Sequence, residues 1–341
     1  MPAEWDRHEA TWIGWPHYLQ DWPGKFHPVP WVFGEMVRKI ALGEIVRIHV
    51  NNAAHEKTAR RILTKAGVDL SRVEFLRGKT NRNWTRDFGP IFVKNKKKIA
   101  VLDYQFNAWA KYEDWQLDNA VSTRVAKFLG VRKFPVRFGN HDIVLEGGAV
   151  DVNGSGTLLT TEQCLLQQEV QVRNPGLSRD DMNRVFRDFF GAPNVIWLKN
   201  GIAGDYDTHG HVDDLCRFVN PTTVVLCSEK NWKDENFAPL QENREILRDA
   251  RLEDGSKIQI VELPMPGPLF FDGRRLPASY ANFYIANAAV LVPTFNDPND
   301  RIALGILAEL ISDRPVVGIH AVDLVLGLGA VHCLTQQQPA V

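Results

Sequence analysis

Leu145–Thr160 reads LEGGAVDVNGSGTLLT, and it joins a hairpin pattern to a titratable residue. Asn153 and Gly154 stand between two apolar runs, which is the strongest short-range signal of a β-hairpin. Glu146 comes just before two glycines, where the backbone of another segment can approach closely. The stretch therefore predicts an antiparallel pair of strands with a carboxylate at its start.

The same arrangement recurs along the chain. Polar or titratable residues stand near the start of apolar hairpin segments at Asp87, Glu146, His211, Tyr280 and Cys333, separated by 59, 65, 69 and 53 residues. A period of about sixty residues predicts repeated ββαβ-like units of an α/β fold around an axis. If the starts of these hairpins converge, the axis carries the functional site.

Apolar spacing predicts helices between the hairpins and one βαβ unit ahead of them. Glu44–Val50 and Val73–Leu76 are β-branched or apolar strands that flank a helix, so part of the sheet system is expected to be parallel. The helices are predicted over 31–42, 53–66, 117–129, 179–190, 240–250 and 301–311.

Composition narrows the class of protein. The chain has 341 residues and a formal net charge of -1, so no long-range field favours nucleic acid or an anionic membrane. No apolar run is long enough to span a membrane, and the start of the chain is too polar for a signal peptide. No long polar linker divides it. We expect one catalytic domain over residues 1–341, located in the cytoplasm; a homodimer is an option that the sequence leaves open.

The four cysteines are Cys164, Cys216, Cys227 and Cys333, and they are too far apart for paired metal or redox motifs. They are therefore interpreted as reduced thiols. Cys333 lies in the closing segment, after Gly327 and Gly329. Taken alone, it is typical of a small buried core residue.

Two kinds of chemistry fit the polar residues of the hairpin starts. On an extended segment His209, His211 and Asp213 share one face, which suits a metal site. The alternative is nucleophilic catalysis by Cys333. In that case His211 carries protons, Glu146 orients it, and Asp87 and Asp213 bind a cation.

Six motifs, in register from Met1 to Pro339, resemble the agmatine deiminase / bacterial peptidylarginine deiminase-like family. They read MPAEWDRHEATWIGWP, NWTRDFGPIFV, LEGGAVDVNGSGTLLTTEQCLL, GHVDDLCRFVNPTTVVL, LPASYANFYIANAAVLVP and VHCLTQQQP. The resemblance implies the pentein fold, an α/β-propeller of five ββαβ units around a pseudo-fivefold axis that holds the active site.

The resemblance also implies a reaction. A guanidinium is hydrolysed to a ureido group and ammonia, without a metal or other cofactor. Agmatine, the favoured small-molecule substrate, gives N-carbamoylputrescine for putrescine biosynthesis. By motif match Cys333 is the nucleophile, His211 the general acid/base, and Glu146 the carboxylate beside it. Asp87 and Asp213 match the carboxylates that bind the guanidinium.

The resemblance assigns the rest of the substrate site less directly. Asp207 aligns with an acidic residue that meets the second cation of agmatine, Trp84 offers a face to the aliphatic chain, and Gly329 permits close approach. Three departures from the family motifs, Leu328, Ala330 and His209, affect recognition of the far end of the substrate. Other options are a deiminase of free or peptidyl arginine, a metallohydrolase that uses the His209 set, and a non-catalytic pentein binding protein.

Overall fold

The computed structural model describes residues 1–341 as a mixed α/β fold built on five sheets of three or four strands. Each sheet contains an antiparallel pair, followed by a strand that joins the pair in parallel. The predicted hairpins, crossover helices and parallel strands are therefore confirmed.

The sheets are numbered I to V along the chain. Sheet I joins both ends of the protein, because its antiparallel pair is formed by the first and last strands. The strand bounds, sheet by sheet, are: I, His8–Gly14, Ile45–Val50, Val73–Arg77 and Thr335–Pro339; II, Ile91–Lys94, Ile99–Asp103 and Arg132–Pro135; III, Asp151–Val152, Thr157–Thr161 and Asn194–Leu198; IV, Cys216–Asn220, Thr223–Ser228 and Gln259–Pro264; V, Tyr284–Ile285, Val290–Thr294 and Val316–His320. Two small hairpins pair Arg137–Phe138 with His141–Asp142 and Phe270–Phe271 with Arg274–Arg275.

The helices follow the predicted pattern, with differences at their ends. The α-helices are Val29–Ile40, Ala53–Lys65, Thr85–Phe88, Gln116–Asn119, Val121–Leu129, Glu162–Leu165, Arg179–Val185, Phe237–Asp249 and Asn299–Leu310. The helix predicted over 117–129 is thus two helices, and the one predicted over 179–190 ends as a π-helix at Phe186–Phe190. Single turns of 3-10 helix occur at Leu19–Asp21, Leu70–Arg72, Ala108–Ala110, Gly147–Ala149, Val212–Asp214, Leu324–Gly327 and His332–Leu334.

Local chemistry explains where the longer helices form. In Val29–Ile40 the buried residues Phe33, Met36, Val37 and Ile40 recur at helical spacing and face the core. The side chain of Asn52 accepts a hydrogen bond from the backbone of His55 and caps the next helix. None of the helices is both long and apolar enough to cross a membrane.

The hairpin of sheet III forms as its sequence predicts. The Asn153 side chain accepts hydrogen bonds from the backbone N–H groups of Ser155, Gly156 and Thr157, and Gly154 takes a positive φ of 75°. The strand that precedes the turn is shorter than predicted, because residues 147–149 form a 3-10 turn instead. This turn brings Glu146 into the interior.

Candidate active site

Four of the predicted residues lie on single helical turns that precede strands. Asp87 is inside the turn Thr85–Phe88, and Cys333 is inside the last 3-10 turn. Glu146 and His211 each stand at the N-terminal end of a turn. These turns pack against one another, so residues from sheets I to IV converge in one buried cluster.

His211 lies at the centre of this cluster and is fully buried. Its Nδ1 is 3.7 Å from Asp87 Oδ1 and 3.9 Å from Asp213 Oδ1, and its Nε2 is 3.6 Å from Glu146 Oε2. Burial alone lowers the pKa of His211. Asp87, the Cys164 thiol and Glu146 outweigh burial and raise that pKa well above its ordinary value. The imidazole therefore holds a proton at neutral pH and can donate it.

Glu146 is held ionised by Arg173, a residue that the sequence analysis did not single out. Arg173 Nε donates to Glu146 Oε1 at 3.2 Å, and its other nitrogens donate to the carbonyl oxygens of Gln171 and Thr208 at 2.9 and 2.6 Å. Burial raises the pKa of Glu146, but the Arg173 charge and His211 lower it to about 2. Glu146 therefore presents a permanent negative charge to the imidazole.

Asp87 has two fixed donors and a perturbed pKa. The indole Nε1 of Trp109 donates to Oδ2 at 2.9 Å, and the backbone of Gly148 donates to Oδ1 at 3.3 Å. Burial raises the pKa of Asp87 to about 7 against the opposing effect of His211, and the charges of Asp213 and Glu146 add to the rise. The carboxylates thus hold more negative charge than a buried site can easily keep, which favours binding of a cation.

Asp213 is oriented by a buried chain of ionisable groups that reaches the first residues of the protein. His332 Nδ1 lies 2.6 Å from Asp213 Oδ2, and His332 Nε2 lies 2.8 Å from Glu4 Oε2. Arg86 and Arg217 contact Glu4 at 3.2 and 2.9 Å. Burial raises the pKa of Asp213, but the hydrogen bond and charge of His332 lower it below its ordinary value. Asp213 is therefore a fixed, ionised acceptor.

The Cys333 thiol faces the same carboxylates. Asn282 Nδ2 donates to Sγ at 3.0 Å, and Sγ lies 3.8 Å from Asp213 Oδ2. Burial, followed by the charges of Asp213, Asp214 and Asp87, raises the pKa of Cys333 well above its ordinary value. The raised pKa keeps the thiol un-ionised, and a bound cation would help to ionise it.

The fifth hairpin start behaves differently from the other four. Tyr280 donates its hydroxyl to Asp300 at 2.7 Å. Asn282, two residues further on, contacts Cys333 instead. Sheet V thus contributes an amide to the cluster, which the position of Tyr280 did not predict.

A narrow cleft leads to the thiol. Its volume, with the solvent-facing mouth included, is about 240 Å³. The residues that line it include four predicted substrate-binding positions and are Trp84, Asp87, Trp109, Asp207, Thr208, Gly327, Leu328, Gly329 and Cys333. A Cβ on Gly329 would lie 2.8 Å from Trp84 Cζ3 and 3.1 Å from Cys333 Cβ. This position therefore requires glycine, as close approach predicted.

The three departures from the family motifs have different structural settings. Leu328 lines the cleft and adopts a left-handed backbone conformation, with φ 65°, although such positions favour glycine. Ala330 is buried two residues before the turn His332–Leu334 that carries Cys333. His209 also has a positive φ, 59°, and is half-buried.

The predicted metal set does not form. The segment is not extended, because Gly210 has φ 98° and residues 212–214 make a 3-10 turn. The prediction that His209, His211 and Asp213 share one face is therefore wrong. The groups close enough to share a metal ion are Glu146 with Cys164 and His211, and Asp213 with Asp214 and Cys333.

Comparison with known proteins agrees with the geometry. A family model described as Porphyromonas-type peptidyl-arginine deiminase matches residues 1–339. The agmatine deiminase of Pseudomonas aeruginosa (strain LESB58) is 34% identical over 364 residues, which cover 100% of this chain and 95% of that protein. The agmatine deiminase of Medicago truncatula is 35% identical over 379 residues, with 100% and 96% covered. The solved agmatine deiminase of Enterococcus faecalis superposes with a TM-score of 0.90 at 30% identity, covering 99% of this chain and 95% of that one.

Proposed function

The chain belongs to the Porphyromonas-type peptidyl-arginine deiminase family, and from this premise we propose that it hydrolyses agmatine to N-carbamoylputrescine and ammonia. It is an enzyme that acts on the C–N bonds of a guanidino group. The observation that carries the proposal is the buried cluster of Asp87, Asp213, Glu146 and His211 around the Cys333 thiol. Residues 1–341 form its single catalytic domain.

The five sheets support a pentein arrangement, with five ββαβ units around a pseudo-fivefold axis. Each sheet contains an antiparallel pair joined by a parallel strand, and sheet I pairs the first and last strands of the chain, as a closed ring of units would require. The convergence of four turns at one cluster is the result expected of an axial site. Cytoplasmic location stays a prediction from sequence, and a homodimer stays an open option.

Asp87 and Asp213 bind the substrate guanidinium in this mechanism. A guanidinium is planar and permanently charged, so two carboxylates can hold it through several charge-assisted hydrogen bonds. Its charge stabilises Asp87 in the ionised form and offsets the field that keeps the Cys333 thiol protonated. Substrate binding thereby prepares the nucleophile.

Catalysis then proceeds through a covalent intermediate. The Cys333 thiolate attacks the central guanidinium carbon and gives a tetrahedral adduct. His211 donates its proton to the departing nitrogen, ammonia leaves, and an S-alkylthiouronium remains on Cys333. His211 next takes a proton from water, which attacks the thiouronium carbon and releases the ureido product and the thiol. Glu146 stabilises the charged imidazole of His211.

Agmatine fits the far end of the cleft better than arginine does. Asp207 lines the cleft and offers a carboxylate to the second cation of agmatine. Free arginine would bring a carboxylate beside its ammonium to the same place, close to the negative charge of Asp207.

The test is a comparison of substrates. Release of ammonia and formation of the ureido product are measured with agmatine, free arginine and a peptidyl arginine. We expect kcat/KM for agmatine to exceed both others by about a hundredfold or more, because free arginine brings a carboxylate beside its ammonium to Asp207 and a peptidyl arginine brings no ammonium there. Equal or better turnover of arginine or the peptide would assign the chain to that substrate instead.

A further inference from the structure

The carboxylate at the far end of the cleft already has an occupant. Lys111 Nζ donates to Asp207 Oδ1 at 2.5 Å and to the carbonyl oxygen of Tyr206 at 2.6 Å. The hydroxyl of Tyr112 contacts the two oxygens of Asp207 at 2.9 and 3.0 Å. One primary ammonium and one phenol thus satisfy the carboxylate that the proposed function gives to agmatine.

The backbone holds Lys111 in a fixed relation to the catalytic cluster. Ala108, Trp109 and Ala110 form a left-handed turn with φ of 50°, 59° and 52°, although none of them is glycine. Non-glycine residues in this conformation are costly and concentrate at functional sites. The turn directs the indole of Trp109 to Asp87 and is followed at once by Lys111.

A second tie joins the two walls of the cleft. Gln171 Nε2 donates to the carbonyl oxygens of Trp109 and Asp207, at 3.0 and 2.5 Å. The segment that contacts the guanidinium end and the segment that carries Asp207 are therefore held together. The contact between Lys111 and Asp207 is part of this arrangement.

We propose that Lys111 occupies the ammonium subsite of the empty enzyme and that the distal ammonium of agmatine displaces it. This inference rests on the proposed function and adds a specificity-determining residue to it. The lysine side chain and agmatine both end in a primary ammonium on a four-methylene chain, so each satisfies Asp207 in the same way. Only a guanidine with its own distal cation can replace Lys111 without leaving Asp207 unpaired.

Displacement is energetically accessible. The Lys111 side chain is 33% exposed, so its ammonium can move into water, whereas the Tyr112 hydroxyl stays on Asp207. Because the incoming ammonium replaces the one that leaves, the exchange keeps the charge of Asp207 paired, and its net cost is small. The substrate is anchored at Asp87 through its guanidinium, which gives its distal ammonium a high effective concentration at Asp207. Lys111 therefore competes with the distal ammonium of agmatine for Asp207, whereas a guanidine without that ammonium leaves the pair in place.

The experiment measures binding without turnover. Agmatine and butylguanidine, which lacks the distal ammonium, are titrated by calorimetry into Cys333→Ala and into the same protein with Lys111→Met. Lys97→Met, on an exposed hairpin turn, is the matched control. We expect Lys111→Met to lower the Kd of agmatine about three- to fivefold. The Kd of butylguanidine should change less, and Lys97→Met should change neither.

The outcomes separate the two proposals. An unchanged or raised Kd of agmatine in Lys111→Met would overturn the displacement. An equal gain for butylguanidine would also overturn it, because Lys111 would then only obstruct the cleft. Addition of Asp207→Asn should remove the gain for agmatine if the two residues act on one subsite. The proposed function is tested separately by ammonia release from agmatine with the unmodified enzyme, and its failure would leave the Kd comparison interpretable.

Discussion

Gly148→Ala adds one methyl group at the point where three of the proposed catalytic groups meet. A Cβ there would lie 2.5 Å from His211 Nδ1, 2.9 Å from Asp87 Oδ1 and 3.0 Å from Asp213 Oδ2. Ordinary van der Waals contact requires about 3.4 Å or more, so the imidazole must move by about 1 Å. A displacement of that size in a catalytic group costs about a hundredfold in rate, or about 2.7 kcal/mol of transition-state stabilisation.

The assay is ammonia release from agmatine, with the fold checked by circular dichroism and thermal melting. Gly305→Ala is the control, because Gly305 lies within the helix Asn299–Leu310 and its Cβ would meet nothing within 4 Å. That change should leave kcat/KM unaltered and stabilise the protein by about 0.5–1 kcal/mol. A folded Gly148→Ala enzyme with kcat/KM within about threefold of the unmodified protein would refute the assigned positions.

Three further predictions follow from the charges of the site. Because Asp87 has a pKa of about 7 without substrate, its protonated fraction grows as the pH falls. The KM for agmatine should therefore rise about tenfold per pH unit below neutrality. A KM that does not change with pH would contradict this. Arg173→Met leaves Glu146 buried without its counter-charge, so the free energy of unfolding, measured by urea denaturation, should fall by about 3–5 kcal/mol. A fall of less than about 1 kcal/mol would argue against the ion pair. The un-ionised Cys333 thiol should react at least about tenfold more slowly with iodoacetamide than with a cationic haloacetamidine. Mass spectrometry follows both reactions. Equal rates would show that the carboxylates do not recruit cations.

The sequence predicted the residues whose roles follow from local pattern. Asp87, Glu146, His211 and Cys333 each stand beside a strand start, and hairpin and helix signals locate such positions without knowledge of the fold. Close approach at Gly329 could be predicted in the same way, since glycine is the residue that permits it.

The supporting residues could not be predicted, because their partners are distant in sequence. His332 contacts Glu4 across 328 positions, and Asn282 contacts Cys333 across 51. The pairing of the first and last strands in sheet I sets the first contact and the packing of sheet V beside sheet I sets the second, and no local signal reports either. A glutamate in the first turn of the chain looks like an ordinary surface charge until its buried partners are known.

Backbone conformation limited the prediction in two further places. The left-handed turn at Ala108–Ala110 contains no glycine, so the usual signal of a positive φ is missing and the contact of Trp109 with Asp87 was overlooked. Around His209 the polar alternation predicts an extended segment. The turn at Gly210 removes the alternation on which the metal hypothesis depends.

The central claim is that Cys333 attacks the guanidinium carbon under the control of His211. It is tested most directly by acid quenching during turnover of agmatine, followed by mass spectrometry of the peptide that contains Cys333. The account predicts a population whose mass is raised by that of agmatine less one ammonia. This adduct should be absent in Cys333→Ala, which should also be inactive. Ammonia release by a folded Cys333→Ala protein would contradict the account.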